Sequence, residues 1–201
     1  MVGVISPSLR TVIERIERAT ARGGREFQIS LPCWGALNDA EVATFFREVC
    51  GRFPALQFLH YNLPRAGRLL TAPEYATLAR AYPNLVATKY GGADLRVIAD
   101  LLRTAGALRH FFTETGYMAA FLLGKPGFLV SFASSSISRA WAYYAAGVER
   151  DTPRLMTIQR DPRFPLRLLP PYQSASDAAF ERYRDALKTQ FPQWIDSSRL
   201  L

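Results

Sequence analysis

Short apolar runs and longer amphipathic stretches alternate along this chain. Runs at 27–31, 57–61, 85–89, 109–113 and 128–132 have the length and composition of strands, with 2–5 a candidate sixth. The stretches between them follow helical periodicity. Val12, Ile13 and Ile16 share one face of a helix over 9–21. Asn38 with Glu41, and Thr71 with Glu74, match the capping box, in which each residue bonds the other's backbone N–H at a helix start. Asp94 stands before the apolar series Leu95, Ile98, Leu101 and Leu102, and 138–146 reads as a further helix.

Strands and helices that alternate at this spacing form parallel strands joined by right-handed crossovers, so the expected class is α/β. A barrel and an open sheet both satisfy this pattern. In either, ligands bind at the carboxyl ends of the strands, where the loops after Leu31, Tyr61, Lys89, Thr113 and Phe132 gather. The alternation stops after Val148. Residues 151–171 are rich in proline and arginine, and 176–190 has a helical pattern with Phe180, Tyr183 and Leu187 on one side. The expected division is a strand–helix domain over 1–148 and a helical extension over 149–201.

Composition narrows the class further. With 201 residues, 49% hydrophobic and 12% aromatic, the chain can bury a sizeable core. Its mean hydropathy of −0.03 is that of a water-soluble protein. No apolar run has the length of a membrane span and residues 1–8 lack a basic leader, so the cytoplasm is the expected compartment, with no membrane partner. Cys33 and Cys50 are not spaced as paired ligands, and with His60 and His110 as the two histidines, no metal is expected. The net charge of +8 raises the prospect of nucleic acid. Its distribution argues against that partner: Arg150, Arg154, Arg160, Arg163 and Arg167 are interrupted by Glu149, Asp151, Asp161 and prolines, without interleaved aromatics.

Against this arginine-rich background the chain has three lysines, and Lys89 closes the run Leu85-Val86-Ala87-Thr88. A desolvated lysine can lose its proton and attack a carbonyl, which arginine cannot. Alternatively, such a lysine packs its stem and sends its head to solvent. Tyr61 ends the preceding strand, 28 positions earlier, the length of one strand–helix repeat. Alternation then groups Gln57, Leu59 and Tyr61 on one face and Leu85, Ala87 and Lys89 on the matching face, so that phenol and amine meet at the mouth if both point inward. That pair suits carbonyl chemistry, the lysine forming an imine and the phenol relaying protons.

The segment Tyr61-Asn62-Leu63-Pro64-Arg65-Ala66-Gly67, Lys89 one repeat later and Gly92-Ala93-Asp94 together resemble the dihydrodipicolinate synthase and N-acetylneuraminate lyase family. Phe121-Leu122-Leu123-Gly124 and Gly127-Phe128-Leu129-Val130-Ser131 resemble that family's later helix and last strand. The resemblance extends to about Gly147 and implies a (β/α)8 TIM barrel acting as a class I, Schiff-base lyase on pyruvate-like 2-oxo acids, without added cofactor. It implies Lys89 as the imine-forming residue and Tyr61 as the catalytic tyrosine. Thr113 and Glu114 fall where sugar-processing members contact substrate hydroxyls, Arg65 matches an arginine that holds a second carboxylate, and the backbone at Val130 and Ser131 borders the keto acid. A homo-oligomer is implied as well.

Two departures qualify the resemblance. Leu31-Pro32-Cys33-Trp34 replaces the Thr-Pro-Tyr-Tyr usual in the synthases, removing a relay tyrosine; lysine-biosynthetic activity is therefore not expected. Trp34 would instead wall a larger aldehyde pocket, and Cys33 has the alternatives of ligand contact or a small buried role. Six strand–helix units are also two fewer than a closed barrel needs, and the Val2-Gly3-Val4 start looks like the family's third strand. The expectation is a barrel lacking its first two units, with two long exposed sheet edges. It is either part of a longer enzyme or a non-catalytic remnant serving as a ligand-binding or oligomeric partner. Gly124-Lys125-Pro126-Gly127 lacks the hydroxyl residue of a phosphate loop and reads as a helix-to-strand turn. Gly91-Gly92 lacks a dinucleotide fingerprint's third glycine, Ser134-Ser135-Ser136 lacks a histidine partner, and His110 should sit inside its strand.

Overall fold

The computed structural model describes residues 1–130, 133 and 136–160. Six parallel strands, β1 (Val2–Gly3), β2 (Glu26–Ile29), β3 (Gln57–Asn62), β4 (Leu85–Tyr90), β5 (Arg109–Phe112) and β6 (Gly127–Phe128), lie side by side in chain order. The helices between them are α1 (Leu9–Thr20), α2 (Asp39–Phe46), α3 (Ala72–Ala81), α4 (Leu95–Thr104) and α5 (Glu114–Leu123), and α6 (Ile137–Val148) follows β6. A doubly wound sheet reverses its strand order and covers both faces with helices. Here the order never reverses among the described residues. Phe27, Ile29, Phe58, His60, Asn62, Thr88, His110 and Phe112 are all buried on one face, whereas Gln57, Tyr61, Lys89, Arg109 and Phe111 on the other retain exposure.

The helix starts follow from their caps. Both capping boxes form, Asn38 with Glu41 and Thr71 with Glu74, and the Asp94 carboxylate accepts from Arg96 and Val97 N–H. Val12 and Ile16 of α1 are buried, as are Ile98 and Leu101 of α4. The sequence Gly124-Lys125-Pro126-Gly127 is indeed the turn from α5 into β6.

Several expectations need correction. The strand expected over 109–113 ends at Phe112 because Thr113 is the N-cap of α5, and the strand over 27–31 ends at Ile29. Leu85 does not share a register row with Gln57: it pairs with Phe58, and the register then slips so that Leu59 pairs with Ala87, leaving Val86 as the extra residue. The edge strands are not long, since β1 and β6 each span two described residues, which shortens the unpaired backbone available for aggregation. The helix expected over 138–146 extends to Ile137–Val148. Residues Thr152–Arg160 form α7, with Pro153 in the first turn, where its missing N–H costs nothing. Backbone contacts divide the chain into two units, the first being Met1–Thr152. The helix expected over 176–190 lies outside the described residues. Among the described residues no helix is long and apolar enough to cross a membrane.

Candidate active site

Alternation carries Tyr61 and Lys89 to the side of the sheet away from His60 and Thr88. They are direct register partners in adjacent strands near their carboxyl ends. The Lys89 Nζ lies 4.2 Å from the centroid of the Tyr61 ring, a separation at which the π face stabilises an ammonium. Gly91 follows closely, and a Cβ there would stand 3.8 Å from the Tyr61 hydroxyl, so glycine keeps the space beside that oxygen open.

Both groups are half-buried, and burial shifts them in opposite directions. Desolvation lowers the Lys89 pKa from its ordinary value, a shift partly opposed by the negative charge of Glu114. Desolvation raises the Tyr61 pKa, with Arg65 opposing and Glu114 reinforcing that shift. The site thereby eases formation of the free amine and keeps the phenol protonated as a donor. Burial also raises the Glu114 pKa, opposed by its own backbone N–H and by Lys89. The Lys89 amine, the Tyr61 phenol and the Glu114 carboxylate thus form one electrostatic group.

The loop after β3, which begins next to Tyr61, is closed by its own side chains. The Asn62 side chain donates to Leu70 O at 2.9 Å and accepts from Leu70 N–H at 3.0 Å, closing the intervening segment as a strand partner would. Within it, Pro64–Ala66 form a 3-10 turn that ends at Gly67 with φ of 72°, a conformation that favours glycine. Arg68 donates to Leu37 O at 2.8 Å and pairs with Asp39 at 2.7 Å and with Glu74, tying the β3 loop to the β2 loop and to α3.

The other candidates fall at different distances from this centre. Arg65 is exposed on the 3-10 turn, with its charge acting on Tyr61. The Thr113 hydroxyl donates to Gly91 O at 3.3 Å, spanning to the turn that follows Lys89. Glu114 is the first residue of α5, and its carbonyl accepts from the Tyr143 hydroxyl at 3.0 Å. Val130 lines an apolar cavity of about 280 Å³ together with Phe111, Leu129, Trp141 and Tyr144. Lys89 is outside that lining, but Phe111 is its register partner in β5, so the cavity begins one strand away from the amine. Ser131 lies outside the described residues. Trp34 sits in an irregular bend and is 86% exposed in this chain. Cys33 beside it is exposed rather than buried.

Sequence reasoning missed Phe111, Asn62 and Tyr143. Asn62 was within the quoted motif, and alternation alone would have turned it towards the helices; the Tyr143 contact, spanning 29 positions, left no local signal.

The sequentially wound α/β sheet thus places a half-buried lysine beside a tyrosine at neighbouring strand ends. Its likeness to known proteins lies in sequence over part of the chain and in fold over most of it. Over 99 residues, 49% of the chain, the sequence is 28% identical to the 4-hydroxy-tetrahydrodipicolinate synthase of Thermus thermophilus, and the match spans 33% of that enzyme's length. No protein-family model matches the chain. A dihydrodipicolinate synthase family protein from Coccidioides immitis superimposes with a TM-score of 0.72 at 23% identity, covering 93% of this chain and 70% of that one. An E. coli K12 prophage protein of the same family, in complex with pyruvate, gives 0.71 at 18% identity, covering 94% and 74%. The resemblance of this chain to the dihydrodipicolinate synthase and N-acetylneuraminate lyase family therefore holds in both sequence and fold.

Proposed function

We propose that this chain carries the lysine site of a class I, Schiff-base lyase acting on pyruvate or a related 2-oxo acid, as an aldolase or a dehydratase. The observation that carries this reading is the Lys89 Nζ held over Tyr61 at the carboxyl ends of β3 and β4. The pyruvate complex of the E. coli relative supports the substrate class. The six sequential strands correspond in this reading to six consecutive units of a (β/α)8 barrel, a fold that places its chemistry at that end of the strands. The expected assembly is a homo-oligomer.

The chemistry follows from the two side chains. The neutral Lys89 amine attacks the keto carbon; a C–N bond forms as the C=O π bond opens, the oxygen takes a proton from Tyr61, and the newly cationic nitrogen returns one proton to the Tyr61 phenolate. Tyr61 then protonates the carbinolamine hydroxyl, which leaves as water while the nitrogen lone pair closes the C=N bond of the protonated imine. That cation accepts the electron pair released when a C–C bond breaks in an aldolase, or when a C3 proton is removed before loss of a hydroxyl in a dehydratase. Water returns the keto acid and the free lysine. In this reading Arg65 attracts a substrate carboxylate, Thr113 and Glu114 meet its polar groups, and Val130 and Ser131 border the keto acid; Trp34, open to solvent within this chain, would contribute only through a bulky substrate.

The test is hydrogen exchange. Imine formation makes the C3 protons of pyruvate acidic, so the chain in D2O should exchange them at a rate followed by proton NMR, and Lys89→Arg should exchange none above buffer. Equal exchange by both proteins would refute the assignment.

A further inference from the structure

Three glycines meet where the chain leaves β4, and they lack side chains for different reasons. A Cβ on Gly116, in the first turn of α5, would stand 2.8 Å from Gly92 O, closer than a side chain tolerates. A Cβ on Gly92 would collide with the Tyr90 ring and hydroxyl. Packing accounts for both. At Gly91 neither packing nor backbone asks for glycine. Its φ lies outside the left-handed region, which Gly23 and Gly67 occupy. Apart from its chain neighbours, the one described heavy atom within 4 Å of an added methyl is the Tyr61 hydroxyl oxygen, at 3.8 Å, an ordinary van der Waals separation. What the missing side chain supplies is open space in front of the phenol.

That space borders the reacting atoms. In the lyase reading the keto carbon bonds to Lys89 Nζ, which lies 4.2 Å from the Tyr61 ring centroid, and the Tyr61 hydroxyl serves its oxygen. A group carried by the keto carbon then comes within reach of the gap. Gly91 itself is tied to α5, since Thr113 Oγ1 donates to its carbonyl at 3.3 Å. From this arrangement we infer that Gly91 is a specificity-determining residue, the gap beside the Tyr61 hydroxyl taking the C3 substituent of a 2-oxo acid larger than pyruvate. The inference rests on the lyase reading and narrows its substrate class. A carbon substituent suits the gap better than a carboxylate, because no charged side chain of the described residues stands within 4 Å of the place a methyl at 91 would take. The smallest acid of this kind is 2-oxobutyrate, whose extra methyl would share that place with the methyl of an alanine at 91.

Gly91→Ala is therefore the test, since it adds one methyl without straining the backbone. C3 proton exchange in D2O is followed by proton NMR for pyruvate and for 2-oxobutyrate, both on one preparation of each protein. A partly folded sample scales the two rates alike and leaves their ratio unchanged. The substitution should slow 2-oxobutyrate exchange about tenfold more than pyruvate exchange, the discrimination that one methylene gives in a fitted pocket. A ratio that stays the same or shifts the other way overturns the inference and leaves the lyase reading in place. Wild-type exchange of pyruvate but not of 2-oxobutyrate overturns it as well. If the wild type exchanges neither acid above buffer, the lyase reading fails and the inference falls with it.

Discussion

His60 and Tyr61 are neighbours in one strand, yet their side chains meet opposite conditions. His60 faces the helices, is 1% exposed, and its Nδ1 shares a hydrogen bond of 2.6 Å with the Tyr75 hydroxyl while Phe46 packs nearby. Burial pushes its pKa down to about 3, so it is a neutral structural group at any ordinary pH. Thr88 and His110 repeat this pattern on the next strands: Nε2–H donates to Ala105 O at 2.9 Å, which leaves Nδ1 to accept from Thr88 Oγ1 at 2.7 Å. Tyr61 and Lys89, one position further along each strand, are half-buried at an open end and remain able to exchange protons. Identical backbone thus carries a fixed polar core on one face and a titratable site on the other, the difference being access to solvent.

Substitutions on the two faces should separate accordingly. The largest effect is expected at Tyr61→Phe, which removes the proton relay and should slow pyruvate exchange about 100-fold without a matching loss of stability. A fall of less than about threefold would remove Tyr61 from the chemistry. On the helix side, Thr88→Val strips the donor from His110 Nδ1 and should cost about 1–3 kcal/mol in urea unfolding, while exchange per folded molecule stays near wild type. A stability unchanged by this substitution would mean that the buried pair is not the structural element described. The last expected effect is a pH slope, read as a difference between two proteins. His60 has its pKa lowered in the fold from 6.5 to about 3, so between those values the unfolded chain binds more protons, and stability should fall as pH drops through that window. The urea midpoint of His60→Phe should depend less on pH than that of the wild type over the same range; an equally steep dependence would assign acid sensitivity to other groups.

The parts legible in the sequence were those written in local periodicity. Alternation and helix caps placed the six strands and the starts of α2, α3 and α4, and a separation of one repeat brought Tyr61 opposite Lys89. What escaped depended on tertiary packing. The extra residue at Val86 leaves composition and periodicity almost unchanged, so nothing local announces that Leu85 crosses to pair with Phe58. Trp34 stands 86% exposed in this chain, and whether a loop aromatic is covered depends on what packs over it rather than on its own composition. The anchoring of Glu114 by Tyr143 joins residues from different helices, a contact that needs the folded chain to be seen. The proline-rich run from 151 gave no helix boundary in the sequence, and Pro153 falls in the first turn of α7, where proline is compatible with a helix.

A Schiff-base lyase at this site requires that one amine, Lys89, condense with a ketone. Its most direct measurement is reduction with borohydride in the presence of pyruvate, followed by digestion and mass spectrometry of the peptide containing residue 89. The expected result is the mass gain of a single reduced pyruvyl group on Lys89, absent when either reagent is omitted, with Lys125 unmodified. A Lys89 peptide of unchanged mass with pyruvate and borohydride in excess over the folded protein would exclude this chemistry.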